Sequence, residues 1–224
     1  MRTDRWLLIY FCLLVVSTLS GCENKKSILL DDTLCQAPCW QNIYPGKTTF
    51  SETVEILSRA TYINAKGASP TPAHIVENYG YSSWTFIENV REMGITVYSI
   101  DNSVGLLQFD TNRNVSIDEM LVFYGEPELI LVVSGMSDSR WLNVFWIYPS
   151  KGVILELFDS WWKPEGNMVE ITPKMKVSDV YYFDPNAYET LLKREILLSP
   201  YDLELVQKSI IPWKGYGSVP YSIE

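Results

Sequence analysis

The chain has 224 residues, a formal net charge of −9 and an isoelectric point near 4.7. So acidic a chain is a poor partner for nucleic acid, because phosphate binding requires a basic face. A hydrophobic content of 47%, with 13% aromatic residues, predicts a folded chain with a sizeable core and excludes a disordered one.

Residues 1–22 have the layout of an export signal. Arg2 and Arg5 precede an apolar run from Trp6 to Val16, and small and polar residues follow as far as Gly21-Cys22. That run is about a dozen residues long, whereas a helix needs about 20 to cross a bilayer. We therefore predict that residues 1–21 are a signal peptide that is removed. The alternatives are an ordinary signal peptide, in which Cys22 is incidental, and an uncleaved membrane anchor.

The residues Leu19-Ser20-Gly21-Cys22 resemble the lipobox of bacterial lipoproteins. In that family a diacylglyceryl group is attached to the cysteine thiol, and a peptidase cuts the chain just before it. The resemblance implies lipid on Cys22, with residues 22–34 as lipidated cysteine and tether. Two or more acyl chains hold a protein durably on a bilayer. The implied location is the extracytoplasmic face of a membrane, either the cell membrane or the periplasmic side of one.

The remaining cysteines of the mature chain are Cys35 and Cys39, since Cys12 leaves with the signal and Cys22 carries lipid. In an oxidising compartment, two cysteines this close predict a disulfide. A redox or metal-chaperone pair is the alternative.

Two capping boxes mark the first predicted helices. Thr49 with Glu52 opens a helix of about ten residues, and Ser116 with Glu119 opens a second that ends near Gly125. Each helix is followed by three apolar, β-branched or aromatic runs that predict strands. The runs are 84–88, 95–101 and 105–110 after the first helix, and 129–133, 141–148 and 152–158 after the second.

The predicted fold class is α+β, with helices packed on antiparallel sheet in two tandem helix-plus-three-strand units, 35–112 and 113–160. Residues 161–224 are predicted to be an extension packed on this domain. They contain a strand at 180–183, a helix from Asp184-Pro185 to about 198, and a helix from Ser199-Pro200 to about 208.

The second unit resembles β-lactamase-inhibitor-like and BamE-like lipoproteins. The resemblance lies in a capped helix ending in Tyr124-Gly125-Glu126-Pro127 and a three-stranded meander containing Tyr148-Pro149. The stretch from Cys35 to Gly46 is also similar to uncharacterised lipoproteins of Chloroflexi-type bacteria. The resemblance implies helices on one face of an antiparallel sheet and protein binding through an exposed sheet face, without catalysis.

Aromatic residues are concentrated in two runs. Alternation in a strand places Phe145 on one face and Trp146 and Tyr148 on the other. We favour a sheet buried on both faces, by helices and by the C-terminal segment. The alternative is an exposed aromatic groove for a peptide or glycan, with Trp146, Tyr148, Trp161 and Trp162 as ligand contacts.

Catalytic and metal-binding patterns are weak in this sequence. His74 is the single histidine and is predicted to face solvent in a loop, so a metal site or a Ser-His-Asp triad would have to be built around it. No cofactor or metal is expected. The first hypothesis is a non-enzymatic envelope lipoprotein that binds another envelope protein by the edge or face of its sheet. The second is a solute- or glycan-binding surface lipoprotein, and the third is an enzyme, such as a hydrolase, that lacks a recognisable motif.

Overall fold

The described residues of the chain fold around a nine-stranded antiparallel sheet. The structure is a computed structural model that describes residues 27–30, 34–64, 74–76, 79–86, 92–134, 142–158, 168–189 and 203–221. Its strands are β1 (His74–Val76), β2 (Tyr79–Thr85), β3 (Gly94–Ile100), β4 (Ser103–Ser116), β5 (Leu129–Ser134), β6 (Leu142–Tyr148), β7 (Val153–Phe158), β8 (Met168–Ile171), β9 (Lys176–Phe183), β10 (Ile210–Pro212) and β11 (Gly217–Pro220). Their order in the large sheet is β1-β2-β3-β4-β9-β7-β6-β5-β10, while β8 and β11 form a separate pair.

Few helices accompany this sheet. Within the described residues they are the α-helices α1 (Phe50–Arg59), α2 (Ile117–Tyr124) and α3 (Leu203–Ser209), and the 3-10 helices Pro149–Lys151 and Pro185–Ala187. Antiparallel sheet with helices is compatible with the predicted α+β class.

The helix starts follow the predicted local signals. Both capping boxes are present, since Thr49 and Ser116 each accept a hydrogen bond from the backbone N–H three residues on, and the glutamate there returns one. Gly125 ends α2 with a φ of 75°, an angle that favours glycine. Asp184 caps the helix that begins at Pro185, as predicted, but its predicted continuation to about 198 lies outside the described residues.

The C-terminal segment holds a different position from the one predicted. Instead of packing as an extension on a finished domain, it supplies β9, which lies between β4 and β7 and pairs with both. The strand prediction at 180–183 is confirmed and is too short at its start, because β9 begins at Lys176. β9 is therefore the strand that joins the two halves of the sheet.

The two meanders, β2-β3-β4 and β5-β6-β7, flank β9. β4 and β7 are each antiparallel to β9 and therefore run parallel to each other. Leu57 of α1 and Met120 of α2 belong to the same core cluster, so both helices lie on one sheet face. Superposing one meander on the other requires a half-turn about an axis parallel to the strands, which turns the sheet over. If the two units were repeats, α1 and α2 would therefore lie on opposite faces of the sheet. The arrangement therefore gives no support to a tandem repeat.

The main core lies between this first face of the sheet and the helices. Trp40, Phe109, Trp146 and Tyr182 are among its largest fully buried side chains. Trp40 packs edge-on against Phe109 with ring centroids 5.0 Å apart. Aromatic rings of this size supply much of the buried apolar area that stabilises a fold.

The N-terminal segment also belongs to this core. Ile28 and Leu29 are buried at 8% and 2% exposure, and the Trp40 indole N–H donates to the Ile28 carbonyl at 3.1 Å. Residues 22–34 were predicted to be a tether, which is wrong for 27–29. These residues fill apolar space beside Trp40, and their polar groups find partners inside the fold.

Candidate functional site

The second face of the sheet, opposite α1 and α2, has two unlike halves. On β5 and β6 it carries Leu131, Val133, Phe145 and Ile147, which form a second apolar cluster. Val206 of α3 belongs to that cluster, and Tyr188 and Ile210 pack against it. We call this part the covered half. C-terminal residues therefore bury it much as the helices bury the first face.

The other part of the second face, on β2, β3 and β4, is polar and accessible. We call it the open half, and its side chains are Tyr81, Ser83, Thr85, Thr96, Tyr98, Gln108 and Asp110. Cross-strand register places them together, since Ser83 lies opposite Thr96, and Thr96 opposite Gln108. Ser83, Thr85 and Asp110 are exposed, and the other four are half-buried.

A chain of side-chain hydrogen bonds orders the open half. The Tyr98 hydroxyl donates to Gln108 Oε1 at 2.6 Å, and Gln108 Nε2 donates to Asp179 Oδ1 at 2.9 Å. Burial raises the pKa of Tyr98 to about 12, so its hydroxyl keeps the proton that it donates. The amide of Gln108 is thus fixed by a partner on each side, and its orientation is set.

A carboxylate pair lies where the open half meets the covered half. Glu156 of β7 is opposite Asp179 of β9, and Glu156 Oε2 accepts a hydrogen bond from the Tyr181 hydroxyl at 2.6 Å. Burial raises the pKa of Glu156 to about 7, against the smaller opposing effect of that hydrogen bond. Burial also raises the pKa of Asp179. Both carboxyl groups are therefore easier to protonate than exposed ones.

A shallow depression occurs at one end of the open half. It has a volume of about 210 Å³, and Thr96, Gln108 and Asp110 line it together with Met93 and Gly94. Gly94 is required here, because a Cβ at this position would lie 2.5 Å from the Trp84 carbonyl oxygen. Pockets that enclose small ligands are usually about 300–1,000 Å³. The depression suits a contact with a protruding group better than enclosure of a solute.

Among the described residues, the geometry assembles no familiar catalytic or metal centre. His74, predicted to lie in a loop, is in β1, and three strands separate β1 from β9. At the usual strand spacing this is about 19 Å between His74 and the carboxylate pair. No group of three or more histidine, cysteine or acidic residues that could hold a metal occurs in the part of the chain that the structure describes.

The structure locates some of the predicted site residues and not others. Cys35 and Cys39 form the predicted disulfide, with an S–S distance of 2.03 Å. Trp146 and Tyr148 are fully buried on the first face, opposite Phe145, so the predicted use of these two rings as ligand contacts is wrong. Trp146 packs instead on Trp213, with ring centroids 4.8 Å apart. The burial of both sheet faces in this region agrees with the interpretation that the sequence favoured.

Three predicted site residues fall outside the described residues: Cys22, Trp161 and Trp162. Their roles stay predictions.

Sequence reasoning missed the residues that order the open half. Gln108, Glu156, Asp179 and Tyr181 come from three strands, and their contacts depend on how those strands pair. A signal was present in β7, where Glu156 interrupts the apolar run Val-Ile-Leu-Glu-Leu-Phe. A glutamate inside such a strand needs a hydrogen-bond partner for its carboxylate, or a raised pKa that keeps it protonated.

Comparison with known proteins identified no relative of the chain. No protein-family model, curated protein or solved structure matches the chain.

Proposed function

We propose that the chain is a bacterial envelope lipoprotein, cut before Cys22 and held by lipid on the extracytoplasmic face of a membrane. The signal layout of residues 1–21 and the Leu19–Cys22 lipobox support this proposal. The Cys35–Cys39 disulfide supports it too, since disulfides persist in oxidising compartments. Among the described residues, no helix is long and apolar enough to span a membrane.

The folded domain acts in this proposal as a non-enzymatic module that binds another envelope protein through the open half. One observation carries the proposal: half of a sheet face presents exposed and half-buried polar side chains, with Gln108 held in a fixed orientation, while the adjoining half is covered by the chain's own C-terminal residues. Fixed polar groups bind without a large cost in conformational entropy. A flat face with a shallow depression also suits a protein surface better than a small solute.

The edges of the sheet are less suited to binding. β1 and β10, the two outer strands, have three residues each, and β10 ends in Pro212, which has no N–H to donate. Short edges and prolines are devices that prevent strand addition. Of the two modes considered, edge and face, the face is therefore the one we propose.

Glycan binding is the second candidate function. The ring centroids of Tyr81 and Tyr98 are 5.9 Å apart on the open half. The Tyr98 hydroxyl contacts the amide of Gln108, which in turn contacts the carboxylate of Asp179. Aromatic rings next to amide and carboxylate groups can hold a sugar ring and its hydroxyls. The same surface would be used, so the identity of the ligand distinguishes the two functions.

Lipidation is tested directly by metabolic labelling with a palmitate analogue. We expect the label on the wild-type chain and none on Cys22→Ser. A labelled C22S chain, or an unlabelled wild-type chain, would contradict the lipoprotein assignment.

The binding surface is tested with paired arginine substitutions in the processed, full-length chain. Thr96→Arg inserts a long charged side chain into the open half, whereas Ser58→Arg makes a comparable change on exposed α1. We expect one envelope protein to be cross-linked by wild type and S58R and lost with T96R. Equal recovery with both variants would rule out the open half, and recovery of glycan in place of protein would favour the second function.

A further inference from the structure

One buried carboxylate holds the N-terminal segment inside the fold. Glu92 is 2% exposed and accepts hydrogen bonds from the Ser27 hydroxyl and from the Ile28 N–H, the latter at 3.0 Å. Loss of these donors would leave a buried carboxylate without partners, which is costly. Residues 27 and 28 are therefore held in one place.

This docking leaves little chain between the domain and a lipid on Cys22. Residues 23–26 are all that separates Cys22 from Ser27. Five Cα–Cα steps span at most about 18 Å when fully extended. A domain of about 200 residues has a diameter of about 40 Å. The domain therefore cannot present an arbitrary side to the bilayer, because only the end that carries Ser27 is within reach.

The structure also shows which part of the sheet lies at that end. Met93 directly follows Glu92, is 51% exposed, and donates its N–H to the Asp110 carbonyl at 2.8 Å. Met93 and Asp110 both line the depression of the open half. At the other end of β3 and β4, the Gly46 N–H donates to the Val104 carbonyl, next to exposed Lys47. The length of β3 separates the two ends by about 20 Å.

We propose that Glu92, by docking Ser27 and Ile28, orients the lipid-anchored domain so that its Met93 end faces the lipid headgroups. This inference rests on the proposed lipidation of Cys22. The short tether sets the orientation, because the full chain has a net charge of −9 and loss of Arg2, Asp4 and Arg5 with the signal makes it more acidic, which gives no attraction to anionic headgroups. The exposed Met93 side chain contacts the headgroup layer. The depression then opens near the bilayer, so a protein bound there has its contact site close to the membrane.

The test compares two single-cysteine variants, Met93→Cys and Lys47→Cys, in the processed, lipidated chain. Each thiol is labelled with a small fluorophore, and the protein is placed in phosphatidylcholine vesicles that contain headgroup nitroxide lipids. We expect the label at 93 to lose most of its fluorescence and the label at 47 to lose little. Equal quenching at the two positions would overturn the orientation.

A longer tether provides the matched control. Ten Gly/Ser residues inserted after Lys26 extend the reach without altering the contacts of Ser27 or Glu92. We expect quenching at 93 to fall severalfold and to approach that at 47, with an unchanged unfolding midpoint. Unchanged quenching at 93 would overturn the role of tether length.

The intact mass of the purified chain separates the two proposals. A chain without lipid would overturn the lipoprotein assignment and the orientation together. A lipidated chain with equal quenching would overturn the orientation alone.

Discussion

The covered and open halves are two parts of one sheet face that differ in what lies over them. Phe145 and Ile147 of the covered half are buried at 3% and 1% exposure beneath C-terminal residues. Thr96 and Gln108 of the open half stay half-buried. One buried face suffices to hold an antiparallel sheet together. The second face is therefore apolar only where the chain covers it, and the remainder is available for recognition.

The largest effect should come from the covered half. Phe145→Ala removes a ring that is 3% exposed and leaves a cavity under α3 and Tyr188. We expect it to lower the free energy of unfolding by about 3–5 kcal/mol, measured by urea denaturation. A loss as small as that of a surface substitution would show that the C-terminal residues do not pack on this half.

Glu156, which lies where the open half meets the covered half, should make the free energy of unfolding depend on pH. The pKa of Glu156 is raised to about 7 from 4.5, so between these values the folded protein keeps a proton that the unfolded chain has lost. The free energy of unfolding is therefore not reduced by this group below pH 4.5. It decreases as the pH rises from 4.5 to 7, by at most about 3 kcal/mol. Urea denaturation at pH 5 and pH 8 should show a smaller decrease for Glu156→Gln than for wild type.

The matched control for this titration is Glu55→Gln on exposed α1. It should retain the wild-type dependence on pH. If E156Q retained that dependence as well, Glu156 would not be the group responsible.

A smaller effect is expected from the hydrogen-bond chain of the open half. Gln108→Leu removes the partner of both the Tyr98 hydroxyl and Asp179 Oδ1. Because these groups are only partly buried, the loss should be about 1–2 kcal/mol in the free energy of unfolding. The free energy of binding to the partner protein should fall by more than the free energy of unfolding does. An unaffected partner affinity would show that the fixed amide has no part in recognition.

The smallest effect on stability should come from Thr96, a half-buried residue of the open half. Thr96→Val keeps the shape of the side chain and removes its hydrogen bond with the Ser83 hydroxyl, which spans 2.9 Å. The free energy of unfolding should stay within about 0.5 kcal/mol of wild type. A loss above that range would mean that the open half contributes to stability as the covered half does.

Local signals predicted local structure well. The two capping boxes marked the starts of α1 and α2, and Gly125 marked the end of α2. Apolar runs located β3 to β7, but the run 84–88 overlaps β2 only at residues 84 and 85. Alternation also assigned Phe145 and Trp146 to opposite faces. These features depend on residues a few positions apart, which a sequence displays directly.

Long-range pairing could not be predicted in the same way. The insertion of β9 between the meanders depends on contacts such as that of Gln108 with Asp179, 71 residues apart. The meeting of Glu156 with Asp179 depends on the register of β7 and β9. Burial of Trp146 and Tyr148 depends on C-terminal residues and helices whose positions no local pattern specifies. The candidate site was therefore missed, although apolar runs had located β4, β7 and the end of β9.

The central place of β9 has a consequence for how the chain folds. Until residue 183 is available, β4 and β7 each lack one of the two strands with which they pair. Strand edges left in this state are sites of aggregation, and pairing over such long separations is slow. The sheet should therefore close as a late event, and a chain truncated before residue 176 should be recovered as aggregate.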